Sequence, residues 1–450
     1  MAFSYCHLKY NFSKTSRKLN VCKDSHPMEE EEAGSRMEQD NERFYHTTQS
    51  DAGQVLSALP RSSRQVEILK NLTTTYEIVL WQPLMADLIG KKQEIHFFVN
   101  ESDVGIVKVH LNESRIPFWV LIGDVEELIV QQTSNDTVSP RASSSYYEQY
   151  HSLSEIYSWM EVITERYPDL VEKIHIGSSY EKNPLYVLKV SKQEQTAKNA
   201  VWIDCGIHAR EWISPAFCLW FIGYVTQYYG RETLYTNLLR HMDFYVMPVM
   251  NVDGYDYSWK TNRMWRKNRS LHGNNQCIGT DLNRNFASKH WCEAGASSFS
   301  CSEAYCGPYP ESEPEVKAVA DFLRKNRNHI KAYITMHSYS QMILFPYSYS
   351  RNKSKDHKEL SLVASEAVDA IESINKNIKY THGSGSETLY LAPGGSDDWI
   401  YDLGTKYSFT IELRDTGKFG FLLPERYIKP TCKEALAAIF NIVRHVIKNA

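Results

Sequence analysis

The chain of 450 residues lacks any long apolar run: its longest, Trp212 to Val225, is broken by Ser214 and Pro215 and falls short of the ~20 residues that cross a bilayer. No membrane span is expected. The N-terminus, MAFSYCHLKYNFSKTSRKLN, carries basic residues but no continuous apolar core, so no signal peptide is evident there. An excess of one charge sign is missing too, since 50 Lys+Arg stand against 54 Asp+Glu for a formal charge of -4. That balance calls for neither nucleic acid nor an anionic membrane as a partner. The 9 cysteines include no CxxC pair, which argues against a zinc ribbon or a thioredoxin-type redox site.

What is present points outward from the cell. Glycosylation acceptors stand close together at Asn71, Asn100, Asn112 and Asn135, and such acceptors mark surface positions of exported proteins. Cys277, Cys292, Cys301 and Cys306 cluster in one stretch, a spacing that suits disulfides in an oxidising compartment. Both features predict a secreted, extracellular protein whose leader is absent from this form of the chain.

Residues 1–52 are polar, include the acidic run Glu29 to Glu32 and show no apolar period, so they are expected to be disordered. From 53 to 132 the pattern changes to GQVLSAL, then helical spacing at Val66, Leu69 and Leu72, then TYEIVLW and EIHFFV. Helical spacing returns at Val104, Val107 and Leu111, followed by FWVLI. The order strand, helix, strand, strand, helix, strand predicts a small α+β, ferredoxin-like domain. A linker over 133–149 follows, in which TSNDTVSPRASSS has nothing apolar enough to bury and exposes one basic site, Arg141, before Ala142. Over 150–450, apolar strands such as AVWID, DFYVMPV, AYITMH and YSFTIEL alternate with amphipathic helices such as EPEVKAVADFLRK and KEALAAIFNIVRHVI. That alternation predicts an α/β domain with a mixed or largely parallel sheet and a site at the strand ends.

Chemistry-bearing residues gather at those ends. After AVWID the chain reads Cys-Gly-Ile-His-Ala-Arg-Glu, which puts His208 and Glu211 three apart. A catalytic zinc takes three protein ligands, commonly two His and a carboxylate. His337, closing the strand Ala332 to Met336, is the natural third among 16 histidines. A lone HxxE equally describes a surface pair with no metal. Glu412 and Arg414 stand two apart on a strand and share a face, so Glu412 is either a proton acceptor or a carboxylate paired with Arg414. Arg263, Arg266, Lys267 and Arg269 form either a solvated basic turn or an anion site, and Asp397 and Asp398 sit in a Gly-rich stretch where Asp commonly serves a turn.

HAREW, NRMWRKNR, DLNRNF, MHSYSQ and SFTIELRDTG stand in the order and approximate spacing of the funnelin-type metallocarboxypeptidases, the family of pancreatic carboxypeptidases A and B. The chain resembles that family over nearly all of 53–450. The resemblance implies an α/β catalytic domain with a mixed eight-stranded sheet flanked by helices over 150–450, preceded by an activation domain over 53–132 and a linker cut after Arg141. It implies that His208, Glu211 and His337 bind one Zn2+, that Glu412 is the general base, and that Arg266 stabilises the oxyanion. Asp281 would orient His208. Asn283 and Arg284 would bind the substrate's terminal carboxylate, Tyr390 would cover the end residue, and Asp397 would select a basic one. Arg210, Tyr339 and Phe421 would meet the substrate further from the cut. The family's B-type pairing implies disulfides Cys205–Cys218, Cys277–Cys301 and Cys292–Cys306, leaving Cys432 unpaired, while Cys6 and Cys22 have no family counterpart.

Likeness to the family's plasma B-type members further implies peptide and protein substrates ending in Lys or Arg. It also implies activation by a trypsin-like protease such as thrombin or plasmin, and a role in limiting fibrin breakdown. Two other classes remain to be set against this: a carboxypeptidase-like binding protein that keeps the fold without cutting, and an A-type exopeptidase for apolar end residues. The joint presence of His208, Glu211, His337, Arg266 and Glu412 argues against the first, and Asp397 against the second.

Overall fold

Short alternating apolar runs at the start of the described chain form four strands: β1 Gln54–Ala58, β2 Ile78–Gln82, β3 Ile95–Val99 and β4 Phe118–Ile122. They pair antiparallel in the order β2-β3-β1-β4. The computed structural model describes residues 52–133, 146–192, 198–273 and 277–449. Arg141, Ala142, Asn135, Cys6, Cys22 and the expected disorder of residues 1–51 lie outside the described residues.

Helix Ser63–Thr75 buries Val66, Leu69 and Leu72, and helix Glu101–Glu113 buries Val104, Val107 and Leu111. Their apolar stripes close one core with Leu56, Ala58, Leu80, Phe97 and Val99. Strand β1 is buried along its whole length. Its period of two sends Leu56 and Ala58 toward the helices, while Val55 joins a second cluster with Trp81, Ile122, Met264, Tyr339, Phe421 and Leu422. The small sheet is thus covered on both faces, by its own helices on one and by the larger part of the chain on the other. A helix that the spacing does not announce, Val125–Thr133, follows β4, with Asp124 accepting from the Glu127 amide at 2.8 Å. Of the expected linker, Tyr146–Glu148 form a 3-10 turn, and Tyr146 is buried with its ring stacked 3.8 Å from His151.

The larger part holds β5 Val171–Ser178, β6 Pro184–Val190, β7 Asn199–Cys205, β8 Met242–Met247, β9 Ile330–Ser338, β10 Met342–Phe345, β11 Thr381–Ser384 and β12 Tyr407–Leu413. They form one mixed sheet in the order β11-β10-β12-β9-β7-β8-β6-β5. The centre, β12, β9, β7 and β8, is parallel, and β6 and β10 run antiparallel to it. Helices Leu153–Arg166, Ile213–Tyr228, Pro314–Asn326, His357–Ile374 and Ile428–Asn449 pack their apolar faces into a single core with this sheet. Helix Ile213–Tyr228 is buried on nearly every side, which explains its apolar run as core. Among the described residues no helix is long and apolar enough to cross a membrane. Disulfides join Cys205 to Cys218, Cys277 to Cys301 and Cys292 to Cys306, and Cys432 is free and buried.

Strand register decides where chemistry gathers. Parallel neighbours end at one edge of the sheet, and there Glu412 on β12 lies opposite His337 on β9, with Cys205 of β7 opposite Met336. His208 and Glu211 follow three and six residues beyond β7.

Candidate active site

At that edge the side chains of His208, Glu211 and His337, all buried, bring one donor atom each within 4.8 Å of the others. His208 Nδ1 lies 2.7 Å from Glu211 Oε1, and His337 Nδ1 lies 3.1 Å from Glu211 Oε2 and 3.2 Å from His208 Nδ1. Two ring nitrogens that close share at most one proton, so the cluster is not satisfied by its own hydrogens. His337 Nε2 is buried without a hydrogen-bond partner among the described residues. Burial, with Arg266 nearby, lowers the pKa of His208 against the opposing pull of Glu211 and Asp281. Burial acts to raise Glu211, but the two imidazoles overcome it and hold the carboxylate ionised. Two imidazoles and one carboxylate converging beside an open cavity fit a catalytic zinc.

Asp281 lies directly behind the cluster. Its Oδ1 is 3.1 Å from His208 Nε2, and its Oδ2 accepts from Arg266 Nη2 at 2.9 Å and Nε at 3.3 Å. Burial would raise this carboxyl, yet Arg266 and His208 hold it well below the usual range. One fully buried carboxylate therefore orients both an imidazole and a guanidinium. Glu412 stands on the cavity wall beside them. Enclosure raises its pKa, His337 and Arg266 oppose that, and Glu211 adds to it. Arg414 does not pair with it, because Arg414 Nε donates to Glu434 Oε2 at 2.8 Å.

The cavity is lined by His208, Glu211, Arg266, His337, Tyr390 and Glu412, among others. Residues 156–438 match the family model described as zinc carboxypeptidase, and residues 56–132 match carboxypeptidase activation peptide. Carboxypeptidase B2 of Rattus norvegicus is 79% identical over 405 residues, covering 90% of this chain and 96% of the relative. Carboxypeptidase B2 of Homo sapiens is 78% identical over 404 residues with the same coverage, 90% and 96%. The crystal structure of thrombin activatable fibrinolysis inhibitor superposes with a TM-score of 0.87 at 78% identity, covering 88% of this chain and 99% of that one.

The chain belongs to the zinc carboxypeptidase family. It is a metallocarboxypeptidase of the B type, and its activation peptide makes it a zymogen that a protease activates. Its cofactor is a catalytic zinc.

Around the metal centre, the carboxypeptidase arranges the remaining expected residues in two groups. Tyr390, Tyr339 and Phe421 line the cavity, whereas Asn283, Arg284, Asp397 and Arg210 are not among its lining residues. Asn283 Oδ1 accepts from the Ser396 amide at 3.0 Å, which ties it to the turn that carries Asp397. Arg284 is buried, donates to the Gly295 carbonyl at 3.1 Å and sits with Cζ 6.0 Å from the Tyr390 ring. Gly394 has φ +82, and a Cβ there would meet the Arg284 carbonyl oxygen at 2.2 Å. Only glycine lets the two segments approach that closely.

Asp397 and Asp398 separate by partner. Asp398 accepts from the backbone amides of Ser348 and Tyr349, at 2.8 and 2.7 Å, and so anchors the turn. Asp397 Oδ2 accepts from the hydroxyls of Ser348 and Thr410, both at 3.2 Å. Thr410 lies two residues before Glu412 on β12, on the same face. Arg210 is fully buried and its three guanidinium nitrogens have no hydrogen-bond partner among the described residues. Its Cζ lies 4.2 Å from the centre of the Phe421 ring.

Sequence reasoning missed the residues that the activation part contributes to this cavity. Trp81, Gln82 and Leu84 line it directly. The Trp81 ring meets Phe421 at 5.0 Å and Tyr339 at 6.2 Å, edge to face, and His96 Nδ1 lies 2.8 Å from the Tyr339 hydroxyl. An apolar strand end such as Trp81 carries no signal that separates a docking residue from a core one. Of the glycosylation acceptors, Asn71 and Asn112 are exposed on the two outer helices. Asn100 caps the second, with Oδ1 accepting from the Glu101 amide at 2.9 Å.

Proposed function

We propose that this zymogen, once cut after Arg141, removes a single C-terminal Lys or Arg from peptides and proteins. The observation that carries the specificity is Asp397, a buried carboxylate with no cationic partner among the described residues, held by two hydroxyls beside the catalytic strand. A buried acid that lacks a counter-ion favours a substrate that brings one.

His208, Glu211 and His337 would hold the zinc, whose chemistry when bound would be to polarise the scissile carbonyl and to acidify water. The chain's own residues do the rest. Glu412 takes a proton from the attacking water and passes it to the leaving amine as the carbon–nitrogen bond breaks. Arg266, aimed by Asp281, stabilises the oxyanion that forms on the carbonyl oxygen. Asn283 and Arg284 bind the terminal carboxylate, the group that distinguishes a chain end from an internal bond, and a guanidinium suits it well. Tyr390 closes over the end residue. Arg210, Tyr339 and Phe421 contact the substrate upstream, where the buried and unpartnered donors of Arg210 would meet a peptide carbonyl once the activation domain has left.

Domain 53–132 covers the mouth through Trp81, Gln82 and Leu84, and the linker over 133–149 carries the cleavage site. Likeness to a protein named for thrombin activation and fibrinolysis inhibition supports activation by thrombin, and high identity to carboxypeptidase B2 fits secretion; plasma as the compartment and plasmin as an alternative activator belong to the same reading. So does removal of C-terminal lysines from fibrin, with the acceptors Asn71, Asn100, Asn112 and Asn135 glycosylated.

The test is Asp397→Ile, assayed as kcat/KM on matched peptides ending in Arg or Phe. Wild type is expected to favour Arg by about 10²- to 10⁴-fold, and the variant to swing toward Phe with zinc content unchanged. An unaltered Arg preference would place the selecting acid elsewhere.

A further inference from the structure

Three chain segments converge on one buried guanidinium that the mechanism above does not use. Arg263 Nη1 donates to the Arg210 carbonyl at 2.8 Å, Nη2 to the Phe421 carbonyl at 2.7 Å, and Nε to Gln132 Oε1 at 3.1 Å. Its Cζ lies 3.7 Å from the centre of the Trp212 ring. Among the described residues no carboxylate pairs with it, and burial pushes its pKa down to about 9. A buried cation with no ion pair spends its donors on backbone carbonyls, and its planar fork fixes the direction of each.

The two carbonyls belong to two segments far apart in the chain. Arg210 lies within the metal-binding turn, between His208 and Glu211, Phe421 lies beyond β12, and the Arg210 Cζ is 4.2 Å from the centre of the Phe421 ring. Gln132 belongs to neither segment. It is buried at the end of helix Val125–Thr133, just before the linker, and its Nε2 donates to the Leu423 carbonyl at 2.9 Å. The Tyr150 hydroxyl donates to that same carbonyl at 2.7 Å.

We propose that Arg263 is a positioning residue for the outer substrate wall, fixing Arg210 against Phe421 through their carbonyls, and that Gln132 of the activation segment occupies its third donor until cleavage. Loss of the segment leaves the Nε of Arg263 without its acceptor and the Leu423 carbonyl with one donor fewer. Both changes act on residues 421–423, through Arg263 on the Phe421 carbonyl and directly on that of Leu423, so the wall loosens when the segment leaves. The proposal rests on the reading that Arg210, Tyr339 and Phe421 touch substrate upstream of the cut.

Arg263→Lys tests it in the cleaved enzyme, with a blocked dipeptide and a tetrapeptide that both end in Arg. A single ammonium nitrogen cannot reproduce donors held on three separate guanidinium nitrogens, so kcat/KM on the tetrapeptide should fall about 10-fold through KM, with the dipeptide within about 2-fold of wild type. An equal fall on both peptides, or none on either, overturns the clamp. Phe421→Ala is run beside it. If Phe421→Ala spares the tetrapeptide, the wall is not used and the proposal falls with it; if it does not, a failure of Arg263→Lys counts against the clamp alone.

Gln132→Leu decides the matter should Arg263→Lys fail to fold. In the uncut chain the amides of 420–423 should exchange hydrogen about 10-fold faster than in wild type. After cleavage and removal of the segment the two should match. Unchanged exchange in the uncut variant refutes the link to Gln132.

Discussion

The interior around the small four-stranded sheet is built from apolar side chains such as Leu56, Leu69, Phe97 and Leu111. The interior around the eight-stranded sheet buries Asp204, Arg210, Glu211, Arg263, Asp281, Arg284, Glu313 and Glu315 as well. Size explains the contrast: a small domain has little burial to spare against the desolvation of a charge, whereas a larger one carries several if each finds partners. The small part instead keeps its second sheet face apolar and docks it, through Val55, Trp81 and Ile122, on Met264, Tyr339, Phe421 and Leu422. Chemistry resides in one region, and its control resides in the other.

The largest expected effect breaks the chemistry and spares the docking. Glu412→Gln in the cleaved enzyme should lower kcat by about 10²- to 10⁴-fold, because an amide of the same shape cannot accept a proton. Zinc content by elemental analysis and the thermal transition of the uncut chain should match wild type. Near-normal turnover in the zinc-loaded variant would remove Glu412 from its role.

The reverse experiment breaks the docking and spares the chemistry. Trp81→Ala removes a buried anchor whose ring meets both Tyr339 and Phe421, at a cost of about 3–5 kcal/mol. Combined with Arg141→Gln to prevent cutting, it should let the uncut chain hydrolyse a tetrapeptide faster than Arg141→Gln alone. Equal rates would mean that the small domain does not restrict the mouth.

A third test uses a buried acid that only the larger interior contains. Burial, reinforced by Asp253 and Glu313 and opposed by the Tyr180 amide, pushes the Glu315 carboxyl up from 4.5 to about 7. Between those values the folded chain holds a proton that the unfolded chain has released. Its contribution to stability is therefore full below 4.5 and is lost as pH rises through 7. Glu315→Gln should remove this slope, so that wild-type stability relative to the variant falls by up to about 3 kcal/mol from pH 4.5 to pH 7.5 in denaturant titrations. Parallel pH profiles would show that the carboxyl is not protonated in the folded state.

The smallest effect compares like with like. Ser62 caps helix Ser63–Thr75 by accepting from the Gln65 amide, and Ser152 caps helix Leu153–Arg166 within a capping box. Ser→Ala at either cap should cost about 1 kcal/mol. In the uncut chain, hydrogen exchange should quicken across the whole first helix and its sheet for Ser62→Ala. For Ser152→Ala it should quicken only in the first turn, because the larger core holds the remainder. Equal spread in both would contradict the picture of a small core with less burial to spare than the large one.

Much of this was legible in order along the chain. The strand and helix sequence over 53–132, the apolar strands over 150–450 and the position of His208 and His337 at strand ends all follow from local periodicity, which a linear sequence records faithfully. The motifs beside those strands carried the family likeness, and with it zinc and the zymogen. Helix Val125–Thr133 escaped because its buried residues are few, Val125 and Gln132 among them, and one of the two is polar.

What the sequence by itself determined is therefore the inventory: which segments are strands, which residue types end them, and that two imidazoles and a carboxylate were available for one ion. Only the tertiary structure decided who meets whom. Parallel register sets Glu412 opposite His337. Packing of the remaining segments leaves Arg414 to Glu434, gives Asp398 to backbone amides and Asp397 to hydroxyls, and brings Trp81 and Gln132 from the small domain onto Phe421 and Arg263. These contacts join residues far apart in the chain, and the side-chain types involved have many equally good partners. Local propensity cannot choose among such partners, whereas burial, by removing water as the alternative, makes the choice and fixes it.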